Sequence, residues 1–276
     1  EEYEEILSSE LKSVYELMYE LTKDDIVVNL LSLKYDYHNL KVLIKEQALD
    51  KNLEELYIPI GTMDFKKVKA NYLSGNLRSM DSRFVKAIDS AKTEYESTKD
   101  PQNIELILDK HYFKHLYELA RETEIALFID YVKDLIDLTN IRTLIRLKKQ
   151  GKDMKFLKKV LLDNGNISIG NLVLALNDSI DIIINKFQNY DIGHGVVKGL
   201  ESYQQTGRLS EFEIQMDDYI MKLNKDSKYV TFGPEPVFSY IIAKETEIKV
   251  LRIIMVSKLN NISPDRIRER LRDLYV

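Results

Sequence analysis

Large apolar residues recur every three or four positions through most of the chain, the period of a helix with one buried face. Tyr3, Ile6, Leu7, Leu11, Val14, Tyr15, Leu17, Met18 and Leu21 predict a helix over residues 3–22. Lys23-Asp24-Asp25 breaks the pattern, and either Asp can cap a second helix over 25–48 with the stripe Val28, Leu31, Tyr35, Leu40, Leu43 and Ile44. Leu53 to Tyr57 reads as a short amphipathic turn closed by Pro59 and Gly61, and one or two helices follow from Phe65 to Thr98. Asp100-Pro101 opens another, with Pro near its first position. Further helices are expected at 124–150, closed by Gly151, and at 154–162, capped by Asp153. Others are expected within 169–190, at 211–223, at 237–259 and after Ser263-Pro264, the last placing Ile267, Leu271 and Leu274 on one side. No segment sustains period-two alternation of β-branched residues between turns, so the fold class is all-α.

Inside this pattern one stretch returns. Asp36-Tyr37-His38-Asn39-Leu40-Lys41 recurs as Asp137-Leu138-Thr139-Asn140-Ile141-Arg142, and in degraded form as Glu247-Ile248-Lys249-Val250-Leu251-Arg252. The starts lie 101 and then 110 residues apart. The helix ahead of the motif repeats too: Glu105 to Asp109 matches Glu213 to Asp217 after 108 residues. These periods exceed the ~20–50 residues of ordinary solenoids, so three similar helical units in a pseudo-threefold arrangement are expected, over 1–60, 61–165 and 166–276. The chain begins at Glu1 rather than Met and the first unit is short on its N-terminal side, so an N-terminal piece is expected to be missing. Asp36 and Asn39 sit three apart at the edge of the apolar stripe and are expected to make helix–helix hydrogen bonds at a packing seam.

Composition narrows the classes. Of 276 residues 44% are hydrophobic and 31% charged, and the net charge of −5 is spread along the chain, without a block basic enough for nucleic acid. The absence of cysteine excludes disulfides, thiolate catalysis and Cys-ligated metals. Apolar runs such as Ile125 to Ile129 fall far short of the ~20 residues of a spanning helix, and no signal peptide is visible.

Candidate chemistry is thin. His111 and His115 are spaced i,i+4, but the Glu that a metalloprotease helix places between two such histidines is absent, and ordinary half-exposed histidines are expected, with no metal. Gly193-His194-Gly195 lacks the Lys-Ser/Thr of a phosphate loop and reads as a helix break, so no cofactor is expected. Arg142, Arg146, Lys148 and Lys149 crowd the end of the second motif helix. They suit a helix C-terminus, and Arg146, Lys148 and Lys149 are also candidates for docking an acidic partner. Arg266, Arg268, Arg270 and Arg272 alternate with Asp265, Glu269 and Asp273, either as a self-paired solvated face or as a second docking surface. Nothing near Asp36, Asp137 or Glu247 supplies the base or nucleophile of an active site.

The run from Tyr240 to Ile254, followed by Lys258-Leu259-Asn260 and by Pro264 to Arg272, resembles the C-terminal signature of the C subunit of bacterial and archaeal V-type ATPases, a relative of the d subunit of the vacuolar proton pump. Leu33 to Lys41 and Asp137 to Leu144 resemble that family's other two repeat signatures; Val250 departs from it, since the third copy often carries Asn there. The resemblance covers nearly the whole chain. It implies a non-catalytic, funnel-like, all-helical subunit, peripheral on the cytoplasmic face of the membrane. Such a subunit would seat on the proteolipid ring, receive the central shaft formed by the D and F subunits, and pass torque between them for ATP-driven proton or sodium transport or for ATP synthesis. The repeat residues Asp36, Asn39, Lys41, Asp137, Asn140, Arg142, Glu247 and Arg252 would then be structural. A general helical scaffold that binds partner helices is the alternative.

Overall fold

In the computed structural model, which describes residues 2–226, 230 and 232–275, all regular structure among those residues is helical. The helices are α1 Glu2–Leu21, α2 Ile26–Leu49, a 3-10 turn Glu54–Leu56, α3 Phe65–Ser74, α4 Ser82–Thr98, α5 Pro101–Glu122, α6 Ala126–Lys149, α7 Met154–Val160, α8 Ile169–Ala175, α9 Ile180–Phe187, α10 Gly193–Thr206, α11 Ser210–Asp226, α12 Glu235–Leu259 and α13 Pro264–Arg268. Short polar side chains start many of them by accepting the orphan N–H groups of the first turn. Asp64, Asp81, Asp100, Asp153, Ser168 and Ser179 each do so. Two expected caps differ. Asp24 rather than Asp25 accepts from Ile26 N–H, and the Ser263 hydroxyl makes no cap bond, leaving Pro264 to fix the start of α13. Between Phe65 and Thr98 the chain forms two helices.

The chain divides into two compact units, Lys23–Glu124 and Glu1–Thr22 with Ile125–Val276. In the first, α2 is not the one-striped helix of its pattern. Leu30, Leu33, Tyr37, Leu40, Leu43 and Ile44 are all nearly inaccessible, so burial runs round most of its circumference. The polar residues left on it are spent on neighbours: Lys41 pairs with Asp109 and Lys45 with Glu105, both on α5. One sequence number rises as the other falls, so the helices run antiparallel. Tyr37 completes the seam, its ring 5.6 Å from Tyr112 and 5.3 Å from Phe84.

The second unit holds two further motif helices. α6 packs against α11, with Arg146 paired to Glu213 at 2.6 Å and the Tyr219 hydroxyl donating to Asp134 at 2.6 Å. Its apolar side joins Leu157, Leu172, Ile183, Phe187, Val196 and Phe212 in one cluster. α12 packs against α1, from the other end of the chain: Arg252 pairs with Glu4 at 2.6 Å, Lys244 with Glu10 at 3.0 Å, and the Tyr15 hydroxyl donates to Glu245 at 2.6 Å. The base one residue past the central aliphatic position (Lys41, Arg252) thus meets an acid on an antiparallel neighbour in the first and third copies, and in the third that neighbour is α1.

Two expectations are corrected. Gly193-His194-Gly195 forms the first turn of α10 rather than a break. A Cβ at Gly193 would collide with the Gln188 carbonyl, and Gly195 and Gly199 lie against Gln215 and Phe212 of α11, so these glycines serve close approach. The last helix ends at Arg268, and Leu274 is exposed. Acids of α11 take over the chain there: Asp218 accepts the Asp273 N–H at 2.8 Å, and Arg272 Nε reaches Asp217 at 2.8 Å.

Candidate functional site

The recurring feature with most chemistry in it is a loop clamp built from the motif acid and Asn. Asn39 Nδ2 donates to the Ile58 carbonyl at 2.8 Å, and Ile58 N–H donates back to Asn39 Oδ1 at 2.9 Å. One turn earlier, Asp36 Oδ2 accepts the Thr62 N–H and hydroxyl, each at 2.8 Å, and Oδ1 accepts the Met63 N–H at 3.3 Å. The second copy repeats the arrangement. Asn140 exchanges the same pair of bonds with Leu162, both at 2.9 Å, while Asp137 accepts Asn166 N–H at 2.7 Å and Ile167 N–H at 3.1 Å. The expected helix–helix bonds are therefore replaced by bonds to the loop that leaves the same helix. A buried loop must satisfy its own backbone groups, and side chains one turn apart can reach two points of one passing strand of chain.

Two glycines complete each clamp. A Cβ at Gly61 would run into the Asp36 carboxylate, and one at Gly165 into that of Asp137; Gly61 also has φ +152°. Their signal in the sequence is position, a Gly 25 residues after Asp36 and 28 after Asp137. Asp134, a turn before Asp137, adds a bond from Asn166 Nδ2 at 3.1 Å. The third copy has no such clamp. Glu247 lies on the surface beside Lys244 at 3.0 Å, and Val250 is buried.

Burial governs the electrostatics. Loss of water around Asp36 raises its pKa to about 6 against the pull of its three bonds, and the same cause raises Asp137 to about 6. Desolvation also raises Asp134. Because these folded-state values lie above the unfolded 3.8, the native state holds the protons more tightly. The stability they contribute is complete below pH 3.8 and is lost as pH rises through 6. Acidification from pH 7 to pH 5 is expected to strengthen the fold by roughly 1 kcal/mol per carboxyl. Chemical unfolding of the wild type against an Asp36→Asn/Asp137→Asn double variant isolates the effect; a constant difference between the two across that window would show carboxyls titrating normally.

Other candidates are occupied structurally. His115 is buried, not half-exposed: it lies 3.2 Å from the Tyr37 hydroxyl through Nδ1, and desolvation lowers its pKa to about 4, so it is neutral at pH 7. His111 is partly exposed and also lowered by desolvation. Among the described residues no group of three or more His, Asp or Glu gathers at metal-binding distance. A cleft of about 590 Å³ lies in the Lys23–Glu124 unit beside His115, Phe84 and Arg83. Its charged walls are committed, Asp64 and Asp81 to helix caps and Arg83 to Asp81 and Glu122. No acid–base pair converges there.

The basic residues divide. Lys148 Nζ donates to the Leu176 carbonyl past α8, and Lys149 Nζ to the Gly207 carbonyl past α10, each at 2.8 Å. They close the C-terminal ends of neighbouring helices, where cations are favoured. Arg146 is half-exposed and held by Glu213, and Arg142 is partly buried within α6. Near the C-terminus Arg268 pairs with Asp265 at 2.8 Å, Arg272 is held by Asp217, and Arg266 and Arg270 are exposed.

Comparison with known proteins fits this frame. The family described as ATP synthase (C/AC39) subunit matches residues 1–270. The C subunit of the A-type ATP synthase of Methanocaldococcus jannaschii is 25% identical over 285 residues, covering 97% of this chain and 71% of that protein. The C subunit of the V-type sodium ATPase of Enterococcus hirae is 26% identical over 275 residues, covering 99% and 83%. The C subunit of the A-type ATP synthase of Methanosphaera stadtmanae is 24% identical, covering 97% and 74%. A match of this extent, over a helical frame whose polar clusters are spent on holding it together, carries one conclusion: the chain belongs to the ATP synthase (C/AC39) subunit family, as an accessory, non-catalytic subunit.

Proposed function

We propose that this chain is a central-stalk, rotor-side subunit of an A/V-type ATPase, linking the D and F subunits of the shaft to the membrane proteolipid ring and passing torque between them. The observation that carries this reading is the loop clamp, built twice with the same side chains. A part that transmits force needs its long helices tied to their loops, because shear at a packed interface is resisted only where neighbours cannot slide. Asp36, Asn39, Asp137 and Asn140 supply such ties. Among the described residues no helix is long and apolar enough to cross a membrane, which fits a peripheral position on the cytoplasmic face.

The test is isolation of the intact complex from gently solubilised membranes through a tag on this chain, followed by cross-linking and identification of the linked peptides. Cross-links from this chain to both shaft subunits and to proteolipid loops are expected. Links confined to stator subunits, or recovery of the chain without shaft or ring, would overturn the assignment.

A further inference from the structure

We propose that the lysine face of α7, formed by Lys152, Lys155 and Lys158, is a docking surface for an acidic helix of another polypeptide. The segment 142–160 holds eight basic residues and one acid, in a chain whose net charge is −5. The packing accounts for part of that charge: Arg146 is paired with Glu213, and Lys148 and Lys149 cap other helices. Lys152, Lys155 and Lys158 remain exposed beyond them. Among the described residues no carboxylate pairs with Lys155 or Lys158, and Lys152 lies 5.3 Å from the Phe156 ring centre.

The internal repeat shows that the fold does not require this charge. The same place in the first copy, between the motif helix and its clamped loop, is the 3-10 turn Glu54–Leu56. There the exposed side chains are Glu54 and Glu55, and the last turn of α2 carries no base. Both copies clamp their loops alike, so the sign of the charge is free to vary, and in the second copy it is concentrated.

The chemistry selects the partner. Lys155 and Lys158 are three apart on one helix, with Lys152 just ahead, a row that matches acids spaced i, i+3 and i+7 on a facing helix. Membrane lipid fits less well: Met154, Phe156 and Val160 already pack against the core, which leaves α7 no apolar face to insert.

Fluorescence anisotropy with the full chain tests this. The probe is a labelled synthetic helix about 20 residues long, long enough to fold alone, with Glu at i, i+3 and i+7, beside a scrambled peptide of equal composition. The patterned peptide is expected to bind several-fold tighter than the scrambled one. Affinity should fall about tenfold in a Lys152→Glu/Lys155→Glu/Lys158→Glu variant, and again when salt rises from about 50 to about 300 mM. A matching Gln variant, unchanged in its melting curve, should lose part of the affinity. Absence of measurable binding, equal binding of both peptides, or indifference to the three substitutions would overturn the proposal. So would tighter binding to vesicles containing phosphatidylserine than to the patterned peptide.

Discussion

Replacing Asp137 by Ala is expected to lower the unfolding free energy by about 3 kcal/mol at pH 7, because two buried donors lose their acceptor together. Asn166 N–H and Ile167 N–H both point at the carboxylate, and Ile167 itself is buried. Ala cannot replace either bond, and Gly165, kept bare to make room for the carboxylate, would leave a gap beside it. The wild-type carboxyl is held at about 6 by burial, so the deficit should widen by roughly 1 kcal/mol between pH 7 and pH 5, as the wild type gains from protonation and the variant does not. Glu247→Ala, the corresponding change in the third copy, removes an exposed side chain and should stay within about 0.5 kcal/mol of the wild type. Urea unfolding of the two variants decides the matter. A comparable loss from both would mean that the motif acid acts through something all three copies share, and not through the clamp.

The contrast between those two positions also marks what the sequence could convey. Helix positions were legible because their causes are local: a 3.6-residue apolar period, Asp or Ser at the first turn, Gly after the last. That Asp36 and Asp137 are structural was legible from their repetition. Their target was not, since Thr62 and Asn166 lie 26 and 29 residues downstream and the reach depends on how the loop folds back. His115 shows the same limit. Its burial comes from Tyr37 and Phe84, residues on other helices, so its own surroundings in the sequence give no sign of it. The partner of α12 was hidden more deeply, for α1 stands over 200 residues earlier and its acids are ordinary surface types. The lysines of the second motif helix looked like one group, and only the fold separates those that cap α8 and α10 from those on α7.

Glycine in α10 supplies the other large expected effect. Gly199→Ala places a Cβ 2.6 Å from the Phe212 Cα and 2.8 Å from its ring, in a contact already fully buried. Backbone cannot yield as a flexible side chain would, so α10 must lift from α11, and overpacking of this kind costs about 1–3 kcal/mol. The gain of about 1 kcal/mol in helix propensity offsets only part of it. The first copy shows how the same seam tolerates a larger residue. There Ala91 stands 108 residues before Gly199, and Ile104 stands 108 before Phe212, all four nearly inaccessible. Small plus large in one copy is balanced by medium plus medium in the other. Gly199→Ala combined with Phe212→Ile should therefore recover part of the stability that Gly199→Ala alone loses, a coupling that a double-mutant cycle measures directly. Gly170→Ala gives the opposite sign for comparison: it sits in α8, exposed, with nothing within 4 Å of the added carbon, and should stabilise by about 0.5–1 kcal/mol. If Gly199→Ala melts at or above the wild-type temperature, or if Phe212→Ile adds its full independent cost, the seam between α10 and α11 is looser than its distances require, and the glycines of α10 are there for another reason.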